Sequence, residues 1–292
     1  KVYSSISENK RNTVIIFMVF IAIISGIGLY FSYIYKNDYI FLILLVFSIL
    51  YALVQYNISK SIVLYMNGAK PVSREIAPGF YAAVETVSIT AGLPMPKLYI
   101  IDDESPNAFA AGTNPEKSII CATTGLLNIM NKGELEAVVA HEISHIKNYD
   151  IRVSMAAVAL TSVIELISEI VLRIFIWSDD DNDNRNPLIV VLGLLFVMIS
   201  PLLALVTRLA ISRQREFLAD ATAVSLTRYP EGMISALQKL KNNEKPLRKQ
   251  NSTTANLFIV NPMKRSFFQN LFSTHPSIDD RISRLKDNSS RL

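Results

Sequence analysis

The sequence predicts a mainly α-helical membrane protein, in which apolar helical hairpins accompany an α+β domain with a small β-sheet and a metal site. Three observations lead there. The 292-residue chain is 50% hydrophobic and 18% charged, with a mean hydropathy of +0.30, too apolar for an ordinary soluble domain. Its longest apolar runs come in pairs separated by short polar connections. Between the pairs lies His141-Glu142-Ile143-Ser144-His145 inside a helical apolar stretch, and the chain has only 3 histidines in all.

Charge excludes some partners. The net charge of +4 is spread without a long basic block, which argues against nucleic acid and suits a membrane surface. The lone Cys121 excludes an internal disulfide and fits a reducing compartment. Its apolar neighbours Ile120 and Ala122 predict a small core residue. No cleavable leader is expected, since the first apolar run is too long and lacks a small-residue cleavage site before the next.

In chain order, the segment 1–60 predicts a transmembrane hairpin. Thr13 to Tyr35 and Tyr39 to Ser59 are uncharged and long enough to cross a bilayer, which needs about 20 residues each. Lys36-Asn37-Asp38 makes the turn tight. The competing reading, two buried helices of a soluble core, is disfavoured by these lengths.

From residue 61 the composition turns mixed, and 61–151 forms the first part of a folded domain. Pro78 to Ala91 predicts a helix with Phe80, Val84 and Val87 on one face, stopped by Gly92 and Pro94. Lys97 to Ile101, Asn107 to Gly112 and Ser118 to Thr123 predict strands, with a turn at Gly112-Thr113-Asn114-Pro115. A small antiparallel sheet is expected. Its edge strand, including Asn107, Ala108, Phe109 and Ala110, either pairs with an extended peptide substrate or is a purely structural hairpin.

Next comes the metal helix. Asn131 and Glu134 form a capping-box pattern at its start. Positions four apart share a helical face, so His141 and His145 can turn towards one ion. Zinc takes imidazole nitrogen and keeps one position for water in catalytic sites. Glu142 follows the first histidine, where it can take a proton from that water.

Residues 152–208 predict a second helical hairpin. Val153 to Trp177 is apolar apart from Glu165, Glu169 and Arg173, spaced four apart. These make either a polar seam against another helix or a sign that this helix lies partly outside lipid. Residues 178–187 hold Asp179, Asp180, Asp181 and Asp183 in an order that fits a solvated loop rather than a calcium site. Pro187 to Thr207 is a further uncharged run with a kink expected at Pro201. Basic residues flank the outer ends of the runs, so both termini and the metal helix are expected on the cytoplasmic side of a cell membrane.

Residues 209–292 complete the folded domain. Glu216 and Asp220 lie four apart on one face. Two histidines leave zinc short of three protein ligands. Glu216 can be the third, with Asp220 a turn behind to accept a histidine N–H. Two acids on a solvated face would read the same in isolation.

Several patterns occur in one order: Asn107-Ala108-Phe109-Ala110-Ala111-Gly112, His141-Glu142-Ile143-Ser144-His145 followed by Asn148 and Asp150, and Arg215-Glu216-Phe217-Leu218-Ala219-Asp220. Thr274-His275-Pro276 and Asp280-Arg281-Ile282 come after them. Together they closely resemble the HtpX family of membrane zinc metallopeptidases, from about Pro71 to the end. The resemblance implies a zincin-type, mostly helical gluzincin domain anchored by two hairpins. It implies one Zn²⁺ per chain on His141, His145 and Glu216, and Glu142 as general base. It also implies endopeptidase activity of the kind that clears damaged membrane proteins. It further suggests that His275 hydrogen-bonds the oxyanion, where an ordinary packed histidine is the alternative. Polypeptides and the bilayer are then the partners. Two rival functions stand beside this one: a type I prenyl-protein protease, and a membrane scaffold with structural zinc.

Overall fold

The computed structural model describes residues 2–162, 212–249, 251–260 and 276–289. Its first feature is the hairpin of α1 (Val2–Tyr35) and α2 (Tyr39–Met66). Lys36 turns the chain with φ 49°, and Asn37 N–H donates to Ser32 O at 3.1 Å. The apolar stretches Ile6–Tyr33 and Tyr39–Met66 run 28 residues each, about 42 Å at 1.5 Å per residue. That exceeds the ~30 Å hydrocarbon core of a bilayer. The surplus lies at the start of α1 and the end of α2, where both helices enter the folded domain. Met18, Ile43, Phe47 and Leu50 are more than half exposed, an outward surface for lipid. Ile16, Phe20 and Ala52 instead pack on Val153, Ala156 and Leu160 of the helical residues 150–162.

The second expected hairpin is therefore seen only at its beginning. Glu165, Glu169, Arg173, the acidic loop and the run from Pro187 to Thr207 lie outside the described residues.

In the domain, α3 (Pro78–Ala91) has proline in its first turn and closes on Gly92 at φ 69°. Phe80, Val84 and Val87 are buried together, as their spacing predicts. One strand precedes α3 and three follow it: β1 (Lys70–Pro71), then β2 (Lys97–Ile101), β3 (Ala108–Ala111) and β4 (Ile119–Thr123). They assemble in the order β1-β2-β4-β3. Here the sequence expectation needs correction. The sheet is mixed, because β2 pairs with β4 in parallel while β3 pairs with β4 antiparallel. Strand composition gives each strand's existence but not its neighbour. The neighbour is set by the loop after β2, where Asp103 N–H donates to Thr124 Oγ1 at 3.1 Å and Asp103 O accepts from Gly125 N–H at 2.9 Å. Gly125 is required there, since a Cβ would meet Glu104 O at 2.1 Å.

The sheet's alternation divides the core. Ala108, Ala110, Ile120 and Ala122 face α5 (Lys132–Lys147). Phe109, Ile119 and Cys121 face the other way, onto Val63, Met155 and Phe258. Burial pushes the Cys121 thiol far up, so it is inert packing. α4 (Thr124–Ile129) leads into α5, whose capping box is complete. Glu134 N–H donates to Asn131 Oδ1 at 2.9 Å, and Asn131 N–H to Glu134 Oε2 at 2.8 Å. Two later helices pack on α5, α6 (Arg213–Thr227) and α7 (Pro230–Asn242); the single turn α8 (Ser252–Ala255) follows, and α9 (Ile278–Ser289) packs on α6 and α7.

Candidate metal centre

α5 carries His141, Glu142 and His145, and α6 crosses it so that Glu216 faces both histidines. One ligand atom from each of His141, His145 and Glu216 lies within 4.8 Å of the others. The two Nε2 atoms are 3.2 Å apart. Glu216 Oε2 stands 3.6 Å from His141 Nε2, and its Oε1 3.6 Å from His145 Nε2. A tetrahedral zinc with 2.0–2.1 Å bonds separates its ligand atoms by about 3.3–3.4 Å, so the triangle has the right size. Among the described residues no other His, Cys, Asp and Glu group has this arrangement. Three protein ligands leave a fourth position for water or substrate, as catalytic sites do.

The ring tautomers fit as well. His141 Nδ1 donates to Asp220 Oδ1 at 2.9 Å, and His145 Nδ1 donates to Asp150 Oδ2 at 2.9 Å. Each ring proton is thereby assigned to Nδ1, and both Nε2 lone pairs point at one spot. Electrostatics favour a cation there. Burial opposes charge on His145, yet the hydrogen bond it donates to Asp150 and the nearby Glu216 outweigh it, holding the imidazole up to about 9. Burial pushes the Glu142 carboxyl up, against the two histidine rings, and the backbone of Ala110 is hydrogen-bonded to it. Glu142 is 2% exposed.

Arg281 completes the site, and sequence reasoning gave it no role. It is 1% exposed. Its Nε donates to Asp220 Oδ2 at 2.8 Å and its Nη2 to Asp220 Oδ1 at 2.6 Å, a two-pronged pairing, while Nη1 lies 3.9 Å from Glu216 Oε2. Burial would raise the Asp220 carboxyl, but Arg281 and His141 hold it down at about 2. The signal for Arg281 was present: it shares a helical stripe with Ile278 and Leu285, so a cation on the apolar face needed a buried acid. Asp150 also went without a role. Tyr149, in the left-handed region at φ 62°, turns the chain after α5 so that Asp150 comes back to His145.

The four edge-strand residues divide. Ala110 lines the cleft with the ligands and Glu142. Phe109 points away from it and meets the Phe258 ring edge-on at 4.9 Å. The outer edge of β3 is already paired. Ile259 N–H donates to Ala108 O at 3.0 Å, Val260 N–H to Asn107 Oδ1 at 3.2 Å, and Asn107 Nδ2 to Val260 O at 2.8 Å. The chain's own residues 256–259 thus roof the cleft. His275 lies outside the described residues.

Comparison with known proteins adds the following. The family described as Peptidase family M48 matches residues 80–289. A protein named "Protease HtpX homolog" from Tropheryma whipplei (strain Twist) is 47% identical over 285 residues, covering 98% of each chain. One of the same name from Streptococcus gordonii is 43% identical over 293 residues, covering 97% of this chain and 99% of the other. The crystal structure of S. mikatae Ste24p shares the fold, with a TM-score of 0.52 at 20% identity over 90% of this chain and 61% of that one.

Proposed function

The chain belongs to peptidase family M48 and, within it, to the HtpX proteases, and on that premise we propose that His141, His145 and Glu216 hold one zinc ion at a peptide-cleaving centre. As a family member it is a membrane-bound metalloprotease. The observation that carries the ligand assignment is the convergence of two Nε2 lone pairs and one carboxylate on a single point, with both Nδ1 protons committed to aspartates. Carboxylate partners of this kind raise ligand basicity and fix ring orientation.

Zinc there would supply Lewis acidity, lowering the pKa of a bound water towards about 7 and polarising the scissile carbonyl. The protein's own groups do the rest. Glu142, buried and one residue from a ligand, takes the proton as water attacks and passes it to the leaving amine. Its burial raises the proton affinity of the carboxylate, which favours the first transfer. Asp220 and Asp150 hold the two rings. His275 donates a hydrogen bond to the oxyanion.

The substrate lies extended against β3. The 256–260 segment marks the path, because its backbone already bonds the Ala108 carbonyl and the Asn107 side-chain amide on β3, the strand beside Glu142. A polypeptide displaces it and pairs there by strand addition. Damaged or misfolded membrane proteins are the substrate class: the cleft stands where α1 and α2 leave the apolar layer, so a segment extracted from lipid arrives at it directly. By the distribution of basic residues the chain is multi-pass, with its site on the cytoplasmic side. The prenyl-protease reading is not favoured, since the relatives that match nearly the whole chain are HtpX proteases.

The test is elemental analysis and proteolysis on detergent-purified protein. Wild type is expected to carry about one zinc per chain and Glu216→Ala none. Glu142→Gln is expected to keep the zinc and lose cleavage. Zinc retained by Glu216→Ala, or cleavage retained by Glu142→Gln, defeats the corresponding assignment.

A further inference from the structure

We infer that Asn9, on the first membrane helix, is a positioning residue of the metal site, acting through Asp150 on His145; this rests on the reading of His145 as a zinc ligand. Asn9 is 1% exposed, although it sits near the start of a 34-residue helix. It lies on the inward stripe that continues through Thr13, Ile16 and Phe20, all buried. Where the stripe leaves the apolar layer it turns polar, and there it meets the end of α5.

The contacts are specific. Asn9 Nδ2 donates to Asp150 Oδ1 at 2.6 Å and to Asn148 O at 2.9 Å. Both partners are acceptors, which fixes the amide orientation: the NH₂ group must face them. Asp150 divides its two oxygens, Oδ1 to Asn9 and Oδ2 to His145 Nδ1 at 2.9 Å. Arg215 Nε stands 3.9 Å from Oδ1. The neighbouring Lys10 ammonium lies over the Tyr149 ring, 4.6 Å from its centroid. Two consecutive residues of α1 therefore grip the turn that returns Asp150 to the metal helix.

A neutral donor is suited to this job. A cation in contact with Oδ1 would draw charge away from the carboxylate and weaken its bond to His145. An amide fixes the plane of the carboxylate and leaves its negative charge for the imidazole. Without the donor, Asp150 is free to rotate, and the His145 ring loses its fixed tautomer and angle. The membrane helix and the zinc site are thus joined by three side chains in series.

The experiment uses the whole 292-residue chain in detergent, comparing wild type with Asn9→Leu, Asn9→Ser and the control Ser48→Ala, a buried serine of α2 whose hydroxyl donates to Leu45 O of its own helix. Zinc affinity is read by chelator competition, and ligand geometry by the visible spectrum of the cobalt(II)-substituted protein. Both Asn9 variants are expected to hold zinc about tenfold less tightly and to shift the cobalt bands. Their kcat is expected to fall with little change in KM. Ser48→Ala should match wild type in each readout. If Asn9→Leu does not fold, Asn9→Ser carries the test alone. Wild-type zinc affinity and cobalt spectrum in the folded Asn9 variants overturn the inference and leave the zinc reading standing. A wild type that binds neither metal defeats the zinc reading itself.

Discussion

The two histidines on α5 are held by two aspartates at the same 2.9 Å, yet the supports behind those aspartates differ in kind. Behind Asp220 stands Arg281 of α9, a full charge making two hydrogen bonds, sealed from water. Behind Asp150 stands Asn9 of α1, a neutral amide, with Arg215 further off at the rim. One support comes from near the end of the chain and the other from near its beginning. The difference teaches that the site is closed from both sides by distant segments, one through charge pairing inside the domain and one through a hydrogen bond to the membrane anchor. The first should dominate stability, the second metal geometry.

The largest expected effect comes from breaking the charged side. Arg281→Met leaves the Asp220 carboxylate buried and uncompensated, and should cost about 3–5 kcal/mol of domain stability, read by chemical denaturation in detergent. The double variant Arg281→Met with Asp220→Asn should recover most of that loss, because removing both charges of a buried pair is often near neutral. An unstable double variant would mean that the pair's shape matters more than its charge.

Asp150→Ala comes next. It should lower zinc affinity about 10–100-fold by chelator competition, with a smaller stability loss than Arg281→Met. If it instead unfolds the domain to the same degree, the two supports are alike and the contrast fails. Smallest is Arg215→Gln. At 3.9 Å from an Asp150 oxygen that Asn9 bonds at 2.6 Å, it lies beyond hydrogen-bond range, so zinc affinity should stay within about fivefold of wild type, as a loss on the order of 1 kcal/mol would give. A larger drop would make Arg215, rather than Asn9, the chief partner of Asp150.

How much of this was legible beforehand follows the range of each interaction. Helical periodicity predicted α3 from Pro78 to Ala91, and four-residue spacing put His141 with His145 and Glu216 with Asp220. Those are local rules. The Asn131 and Glu134 cap was readable for the same reason. The parallel pairing of β2 with β4 was not, because it depends on hydrogen bonds that Asp103 makes across 21 residues. Asp150 is only five residues from His145, but its contact needs the left-handed Tyr149, which the residue type does not announce. Asn9 acts across 141 residues, and its one advance sign was a polar group on an otherwise apolar inward stripe. Phe109 was grouped with its neighbours as a substrate contact, although strand alternation already turned it to the opposite face from Ala110.

The sheet's two outer edges have a further consequence. β1 presents Lys70 and Pro71, a charge and a residue with no amide proton, both poor templates for an added strand. β3 is covered by residues 259 and 260. Among the described residues neither outer edge of the sheet is therefore a bare strand on offer to another chain. The sheet is guarded against edge-to-edge polymerisation by composition at one edge and by the chain's own segment at the other, beside the cleft.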